Sequence, residues 1–144
     1  MATGVQIVFD CADVDRMAKF WAEALGYKLQ DPPDGFHSWE EWLRDAGIPE
    51  SEWDRASAIV DPEGGGPRIY FQKVPEPKVT KNRVHIDINC GGPPGTPIEQ
   101  RQVRAEAEAQ RLGGLGASEL RRQSEHGEFW IVMQDVEGNE FCLQ

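Results

Sequence analysis

The sequence predicts an α+β fold made of two β-α-β-β-β modules, and three internal matches support this prediction. The segment VQIVFDC at 5–11 reappears as VHIDINC at 84–90. The Asp-x-Glu-Gly segment at 61–64 reappears at 135–138, and Leu25-Gly26 reappears as Leu115-Gly116. The matches keep the same order and are 79, 74 and 90 residues apart. A repeat this long that occurs only twice indicates a duplicated supersecondary module.

The elements of the first module, residues 1–74, follow from periodicity. Alternation and β-branched content predict a strand over 4–10. A helix over 13–25 is predicted with Asp13 as its N-cap and Gly26 as its stop. Its apolar stripe consists of Met17, Phe20, Trp21 and Ala24. Strands over 27–31, 56–60 and 68–74 complete the module, with a glycine-rich hairpin turn at 61–67.

The second module, residues 79–144, repeats this pattern. A strand is predicted over 82–90, and Thr96 is predicted to cap a helix that has Pro97 in its first turn. This helix is predicted to continue from 98 to 112 and to end at Gly113-Gly114. Strands over 118–124, 129–134 and 139–144 follow. The proline-containing segment 75–78 is a stiff connector, and residues 1–144 are expected to form a single domain.

An insertion at 36–54 interrupts the symmetry and carries Trp39, Trp42 and Trp53. Trp39, Trp42 and Leu43 have helical spacing, which predicts a short amphipathic helix. Two interpretations stay open. The insertion is either a satellite core beneath a long loop or an aromatic lid over a pocket.

Alternation along the strands separates an apolar sheet face from a polar one. The apolar face, expected to lie beneath the helices, contains Val5, Ile7, Phe9, Ile69, Phe71, Val84, Ile86, Ile88, Phe141 and Leu143. The polar face contains Gln6, Val8, Asp10, Arg68, Tyr70, Gln72, His85, Asp87, Asn89, Glu140, Cys142 and Gln144. A face this polar is either exposed to solvent or lines a cleft. The duplication favours the cleft, because two sheets that face each other can enclose a pocket.

Composition narrows the class of protein. The net charge of −10 argues against binding to the phosphate backbone of nucleic acids and modestly favours cationic ligands. No apolar run approaches the roughly 18 residues of a membrane span, and no signal peptide is visible, so a cytoplasmic location is expected. Cys11, Cys90 and Cys142 are odd in number and lack CxxC spacing, so reduced thiols are expected.

Several motifs together resemble the vicinal oxygen chelate superfamily, which includes glyoxalases, extradiol dioxygenases and bleomycin-resistance proteins. They are the helix entry DVDRMAKFW at 13–21, the LGY segment at 25–27 and the closing DVEGNEF at 135–141. Within the superfamily, the chain is most similar to glyoxalase-like proteins that have a Trp-rich insertion after the second strand. The resemblance implies paired modules whose curved mixed sheet forms a half-barrel around a ligand cavity, with the helices on the outer face.

The resemblance also bears on metal binding. Metal-dependent members place ligands on the first and last strand of each module. Gln6 and His85 occupy the first-strand positions and would suit a metal, but Tyr70 and Cys142 stand where carboxylates would be needed. No cofactor is therefore expected. The alternative is a zinc or iron site made of Gln6, His85 and Cys142.

Two functions follow as hypotheses. The first is a metal-independent protein that holds a small, partly aromatic molecule between the modules. Its ligand-binding residues would be Gln6, Tyr70, His85, Asp87, Trp130, Cys142, Trp39 and Trp42. The second is a lyase or isomerase that uses His85 and Asp87 for proton transfer, with or without a metal. A homodimer is expected, because sheet edges are rarely left open and relatives are commonly dimeric.

Overall fold

The computed structural model describes all 144 residues, Met1–Gln144. The chain forms two compact units, Met1–Pro77 and Lys78–Gln144, and the boundary between them falls within the predicted connector. Each unit contains one four-stranded mixed sheet, and neither sheet is closed. The predicted α+β class is therefore confirmed. None of the helices is both long enough and apolar enough to cross a membrane.

The elements of the first unit occur in the predicted order. They are β1 (Ile7–Cys11), α1 (Val14–Leu25), β2 (Lys28–Leu29), α2 (Trp39–Asp45), a 3₁₀ turn (Glu50–Glu52), β3 (Ala56–Val60) and β4 (Ile69–Lys73). The sheet order is β1-β4-β3-β2, with β1 parallel to β4 and the other pairs antiparallel. β1 begins three residues later than predicted, because its register starts with the pair Ile7 and Ile69.

The core of the first unit lies between α1 and the sheet. Asp13 accepts a hydrogen bond from the Arg16 backbone N–H at 3.1 Å, and Gly26 ends the helix with a φ of 70°. The apolar stripe of α1 is buried, as the spacing predicts. The Phe9 ring packs 5.3 Å from Trp21 and 5.5 Å from Phe71. These aromatic contacts fix which face of the sheet is covered by α1.

The elements of the second unit follow the same order of one strand, one helix and three strands, without α2 and the 3₁₀ turn. They are β5 (Asp87–Ile88), α3 (Ile98–Gly114), β6 (Ser118–Glu125), β7 (Glu128–Gln134) and β8 (Glu140–Leu143). The sheet order is β5-β8-β7-β6, with β5 parallel to β8. α3 buries Ala105, Ala109 and Leu112, which have helical spacing. The first and last strands are thus neighbours in each unit.

Two details of α3 correct the sequence prediction. Thr96 does not cap the helix, because its hydroxyl donates to the Pro93 carbonyl at 2.7 Å; Pro97 holds the cap position instead. Gly113 and Gly114 lie inside the last turn, and Gly116 takes the left-handed conformation with a φ of 109°. The buried Leu112 anchors that turn by accepting the backbone N–H of Ala117 at 3.1 Å.

The predicted burial of Val5 and Val84 is wrong, because both side chains are exposed. They precede β1 and β5, which lie at the edges of their sheets. Ile7, Phe9, Ile86 and Ile88 are half-buried for the same reason, whereas Ile69, Phe71, Phe141 and Leu143 on the neighbouring strands are buried.

The strand predicted over 82–90 is also shorter than expected. The Asn82 side chain takes the place of strand pairing, since its amide donates to the Glu140 carbonyl and accepts from the Glu140 N–H.

Candidate functional site

The second unit contains a cavity of about 380 Å³ on the sheet face opposite α3. Its lining consists of His85, Asp87, Glu128, Phe129, Trp130, Cys142 and Gln144. Four of these seven residues, His85, Asp87, Trp130 and Cys142, are candidate site residues in the sequence analysis. The structure therefore brings together all the candidates that belong to this unit.

Strand register explains why these side chains converge. Asp87 on β5 lies opposite Cys142 on β8, and Cys142 lies opposite Val132 on β7. Trp130 is two residues before Val132, so it lies on the same sheet face. Ile131, Met133 and Leu143 alternate with them and are buried on the other face. The buried apolar side chains of β7 and β8 pack beneath α3, so the side chains that alternate with them face the cavity.

His85 and Asp87 form the most polar part of the cavity. The Nε2 atom of His85 lies 3.3 Å from a carboxylate oxygen of Asp87, and both side chains are about half exposed. His85 precedes β5 and lies two residues from Asp87, which places both on one face. A carboxylate in this position orients the imidazole ring. The pair can therefore hold a ligand group or exchange a proton with it.

Cys142 is a neutral thiol in this environment. Burial raises the pKa of its thiol, and the negative charge of Asp87, together with a hydrogen bond to that carboxylate, raises it further. Reactive cysteines need the opposite shift, which neighbouring cations or helix N-termini supply. Cys142 is thus suited to packing and weak hydrogen bonding, and a nucleophilic role finds no support.

The same side chains provide one group of potential metal ligands. The donor atoms of His85, Asp87 and Cys142 all lie within 4.8 Å of one another. Mn²⁺ and Mg²⁺ prefer oxygen ligands, and Asp87 is the only carboxylate of the three, so the set does not fit a hard ion. Nitrogen, sulfur and oxygen donors fit zinc better. The third potential ligand in this group is Asp87, whereas the zinc or iron site considered in the sequence analysis has Gln6 as its third ligand.

Gln6 and Tyr70 lie in the first unit, where Arg68 connects them. The Arg68 Nη1 atom donates to the Gln6 side-chain oxygen at 2.6 Å. Its guanidinium carbon lies 5.3 Å from the centroid of the Tyr70 ring. Arg68 lies on the predicted polar face but is not among the predicted site residues. Its position two residues before Tyr70 was the available signal.

Trp39 and Trp42 lie on α2 in the first unit. Their ring centroids are 5.7 Å apart at an interplanar angle of 85°, and the Trp39 indole donates to the Gln30 carbonyl at 2.7 Å. α2 buries none of its residues, which does not match a satellite core. The lid role of these two residues, and a cavity shared by all the candidate residues, stay predictions.

The first unit contains a larger cavity of about 550 Å³ next to the start of α1. Four carboxylates contribute to its lining, but three of them already have structural partners. Asp13 caps α1, Asp15 pairs with Lys19, and Asp54 pairs with Lys73. Three of its four carboxylates are therefore engaged in holding the fold, and the cavity of the second unit is the better candidate site.

Comparison with known proteins identifies the family. A profile of the glyoxalase-like domain matches residues 6–144, which is nearly the whole chain. No match to a protein of curated function was found.

Solved structures with the same fold include proteins from several bacteria. A glyoxalase/bleomycin resistance protein/dioxygenase family enzyme from Burkholderia phytofirmans PsJN has a TM-score of 0.62 at 10% identity, covering 96% of this chain and 94% of that one. A mutant of the fosfomycin resistance protein FosX from Listeria monocytogenes, complexed with Mn(II) and 1S,2S-dihydroxypropylphosphonic acid, has a TM-score of 0.63 at 12% identity. The match covers 100% of this chain and 90% of the FosX chain. A possible glyoxalase from Bacillus cereus has a TM-score of 0.60 at 14% identity, with 99% of both chains covered.

These identities are low, so the structural neighbours show the fold alone, while the domain profile shows the family. The chain belongs to the glyoxalase-like domain family, within the glyoxalase/bleomycin resistance/dioxygenase (vicinal oxygen chelate) superfamily.

Proposed function

We propose that this protein binds a small, partly aromatic molecule in the cavity of the second unit, without a metal, in the cytoplasm. The observation that carries the proposal is the convergence of His85, Asp87, Trp130 and Cys142 around that cavity. An aromatic wall with a few converging polar groups is the usual composition of a small-molecule site. No disulfide bond joins the three cysteines, which agrees with a reducing compartment.

Metal independence is supported by the donor set. The set has a single oxygen ligand, Asp87, where Mn²⁺ or Mg²⁺ prefers several, and a softer metal requires the thiolate form of Cys142. Because burial and Asp87 raise the pKa of that thiol, metal binding has to displace a proton that the site holds at neutral pH. Elemental analysis of protein purified without chelator or affinity-tag metals should find well below one metal ion per chain. Near-equimolar zinc or iron that disappears in His85→Ala would refute the metal-free proposal.

Ligand binding is tested with the protein as purified. Native mass spectrometry detects any co-purified small molecule, and titration with benzamide, followed by isothermal calorimetry, tests the cavity with a neutral planar probe. We expect His85→Ala to weaken binding by about 1–3 kcal/mol through loss of a hydrogen bond. Trp130→Leu should weaken it as well, because the ring surface is lost.

His37→Ala is the matched control, because the His37 side chain is 95% exposed and does not line the cavity. It should bind benzamide as the wild type does. Unchanged binding in both His85→Ala and Trp130→Leu would show that this cavity is not the ligand site.

The 3.3 Å contact between His85 and Asp87 favours a second candidate function, a lyase or isomerase that moves a proton. Here His85 would remove a proton from the carbon next to a carbonyl group, and Asp87 would orient the imidazole. The test is solvent-deuterium exchange into dihydroxyacetone, followed by NMR. Exchange that is lost in His85→Ala, reduced in Asp87→Asn and retained in Cys142→Ser would establish this function. Exchange at the rate of buffer alone would exclude it for this probe.

A further inference from the structure

Arg68 differs from the other arginines in its environment. Only Arg68 and Arg101 are half-buried, and the remaining arginines are exposed. Arg101 pairs with Glu128 at 2.9 Å. Arg68 has no carboxylate partner, although the chain carries a net charge of −10. A half-buried cation without a counter-charge in an acidic protein calls for a physical reason.

The guanidinium of Arg68 is held in place by neutral groups. Its Nε atom donates to the Gln30 side-chain oxygen at 2.7 Å, and its Nη1 atom donates to the Gln6 side-chain oxygen at 2.6 Å. The Tyr70 ring lies beneath it at 5.3 Å. An arginine carries five N–H groups, so these two bonds leave three available for a ligand. The amides orient the group without neutralising its charge.

The supporting residues are themselves fixed by the fold. Continuing the parallel register of Val8 with Tyr70 by two residues places Gln6 opposite Arg68. Gln30 donates its backbone N–H to the Ala58 carbonyl at 2.9 Å and accepts the Trp39 indole N–H at 2.7 Å. Arg68 is therefore pre-organised, which lowers the entropy cost of binding.

We propose that Arg68, positioned by Gln6, Gln30 and Tyr70, is an anion subsite that binds the carboxylate or phosphonate group of a small molecule. Oxyanions are the ligands for which a planar guanidinium with free N–H groups is best suited. The subsite reverses the preference for cationic ligands that the net charge suggests, because charges beyond about 10 Å are screened by salt and the nearest charge dominates. The inference does not depend on the role proposed for His85.

The experiment compares four probes of similar size by isothermal calorimetry at constant ionic strength. Benzoate and phenylphosphonate are anionic, benzamide is neutral and benzamidine is cationic. We expect the wild type to bind the two anions more tightly than benzamide or benzamidine. Arg68→Met should weaken anion binding roughly 10- to 100-fold, because hydrogen bonds to a charged group are lost. Arg68→Lys should restore part of the affinity, since it keeps the charge and lacks the planar fork.

Arg16→Met is the matched control, because it makes the same change of charge at an exposed arginine. It should bind all four probes as the wild type does. If Arg68→Met fails to fold, as judged by circular dichroism, Arg68→Lys alone decides the test. Benzoate and phenylphosphonate bound no better than benzamide by the wild type, or bound equally by the Arg68 variants and the wild type, would overturn the proposal.

His85→Ala separates this inference from the proposed function. Anion binding that weakens in Arg68→Met and persists in His85→Ala supports the subsite whatever the role of His85. Anion binding that weakens in His85→Ala and persists in Arg68→Met overturns the subsite and leaves the proposed function standing.

Discussion

At the residue scale, Asp61 and Asp135 hold the two hairpin turns in the same way. Each accepts a backbone N–H two residues later, from Glu63 and Glu137, at 2.9 Å. The glycine of each turn, Gly64 or Gly138, donates its N–H to the aspartate carbonyl and has a positive φ, of 75° and 86°. The repeated Asp-x-Glu-Gly segment is thus a repeated turn with one physical mechanism.

We expect the Asp61→Asn variant to lose thermal stability at neutral pH. Backbone N–H groups, that of Glu63 foremost, then those of Gly66 and Gly65, lower the pKa of the Asp61 carboxyl from its ordinary 3.8. A lowered pKa in the folded state contributes stability above the ordinary value, and this contribution is lost as the pH falls through the lowered value. The difference in melting temperature between wild type and variant should therefore be full at pH 7 and shrink below about pH 4.

Asp34→Asn, which makes the same charge change at an exposed side chain, is the control for Asp61→Asn. A difference in melting temperature that does not vary with pH would contradict the role assigned to the Asp61 charge.

Substitution of Phe71 tests which face of the first sheet is covered by α1. Its side chain is fully buried against Phe9, while its neighbour Gln72 is exposed. We expect Phe71→Ala to lower the free energy of unfolding by about 3–5 kcal/mol, because it removes apolar contacts and leaves a cavity. Gln72→Ala should change it by less than about 0.5 kcal/mol. Urea denaturation measures both, and equal losses would mean that the faces are assigned in reverse.

At the element scale, α1 and α2 differ in what holds them. Both have side-chain N-caps, from Asp13 and from Ser38. α1 buries seven residues, whereas α2, with only seven residues in all, buries none. Helices this short are marginal without tertiary packing. α2 therefore depends on its cap and on the indole hydrogen bond of Trp39 to Gln30.

We expect the amide protons of α2 to exchange with solvent much faster than those of α1. Local opening of α2 exposes little apolar surface and therefore costs little free energy. Hydrogen exchange followed by NMR or mass spectrometry compares Trp42–Asp45 amides with those of Trp21 and Ala22 in the same sample. Equal protection in the two helices would indicate a packing partner for α2 that the chain alone does not provide.

At the scale of the whole molecule, the exposed sheet edges bear on assembly. β1 and β2 are the edges of one sheet, and β5 and β6 are the edges of the other. All residues of β6 are exposed, and Arg122 pairs with Glu119 and Glu106. Charged side chains of this kind discourage the strand of another chain from pairing with the edge. Val5 and Val84, which precede β1 and β5, instead expose apolar surface. The edges near these valines are therefore the ones that a second subunit would cover.

We expect a homodimer in solution, with a mass of about 32 kDa against 16.2 kDa for one chain. Multi-angle light scattering at micromolar concentration measures this mass. Val5→Lys and Val84→Lys should shift the equilibrium toward the monomer, and Val103→Lys, at an exposed position on α3, is the control. A wild-type mass of one chain at every concentration would remove the prediction.

Sequence pattern by itself determined the α+β class, the order of the elements, the helix limits at Asp13 and Gly26, and the polar face that carries His85, Asp87 and Cys142. These features follow from local rules, because cap chemistry and the alternation of side chains act within a few residues of the chain.

Features that depend on contacts between residues distant in sequence were decided only by the tertiary structure. The exposure of Val5 follows from the edge position of β1, and Asn82 replaces strand pairing because Glu140 is its neighbour in space. Arg68 becomes a candidate anion site because Gln6 and Gln30, distant in sequence, orient it without neutralising it. The sequence lists the polar groups, whereas the register of the strands decides which of them meet and which charges are left without a partner.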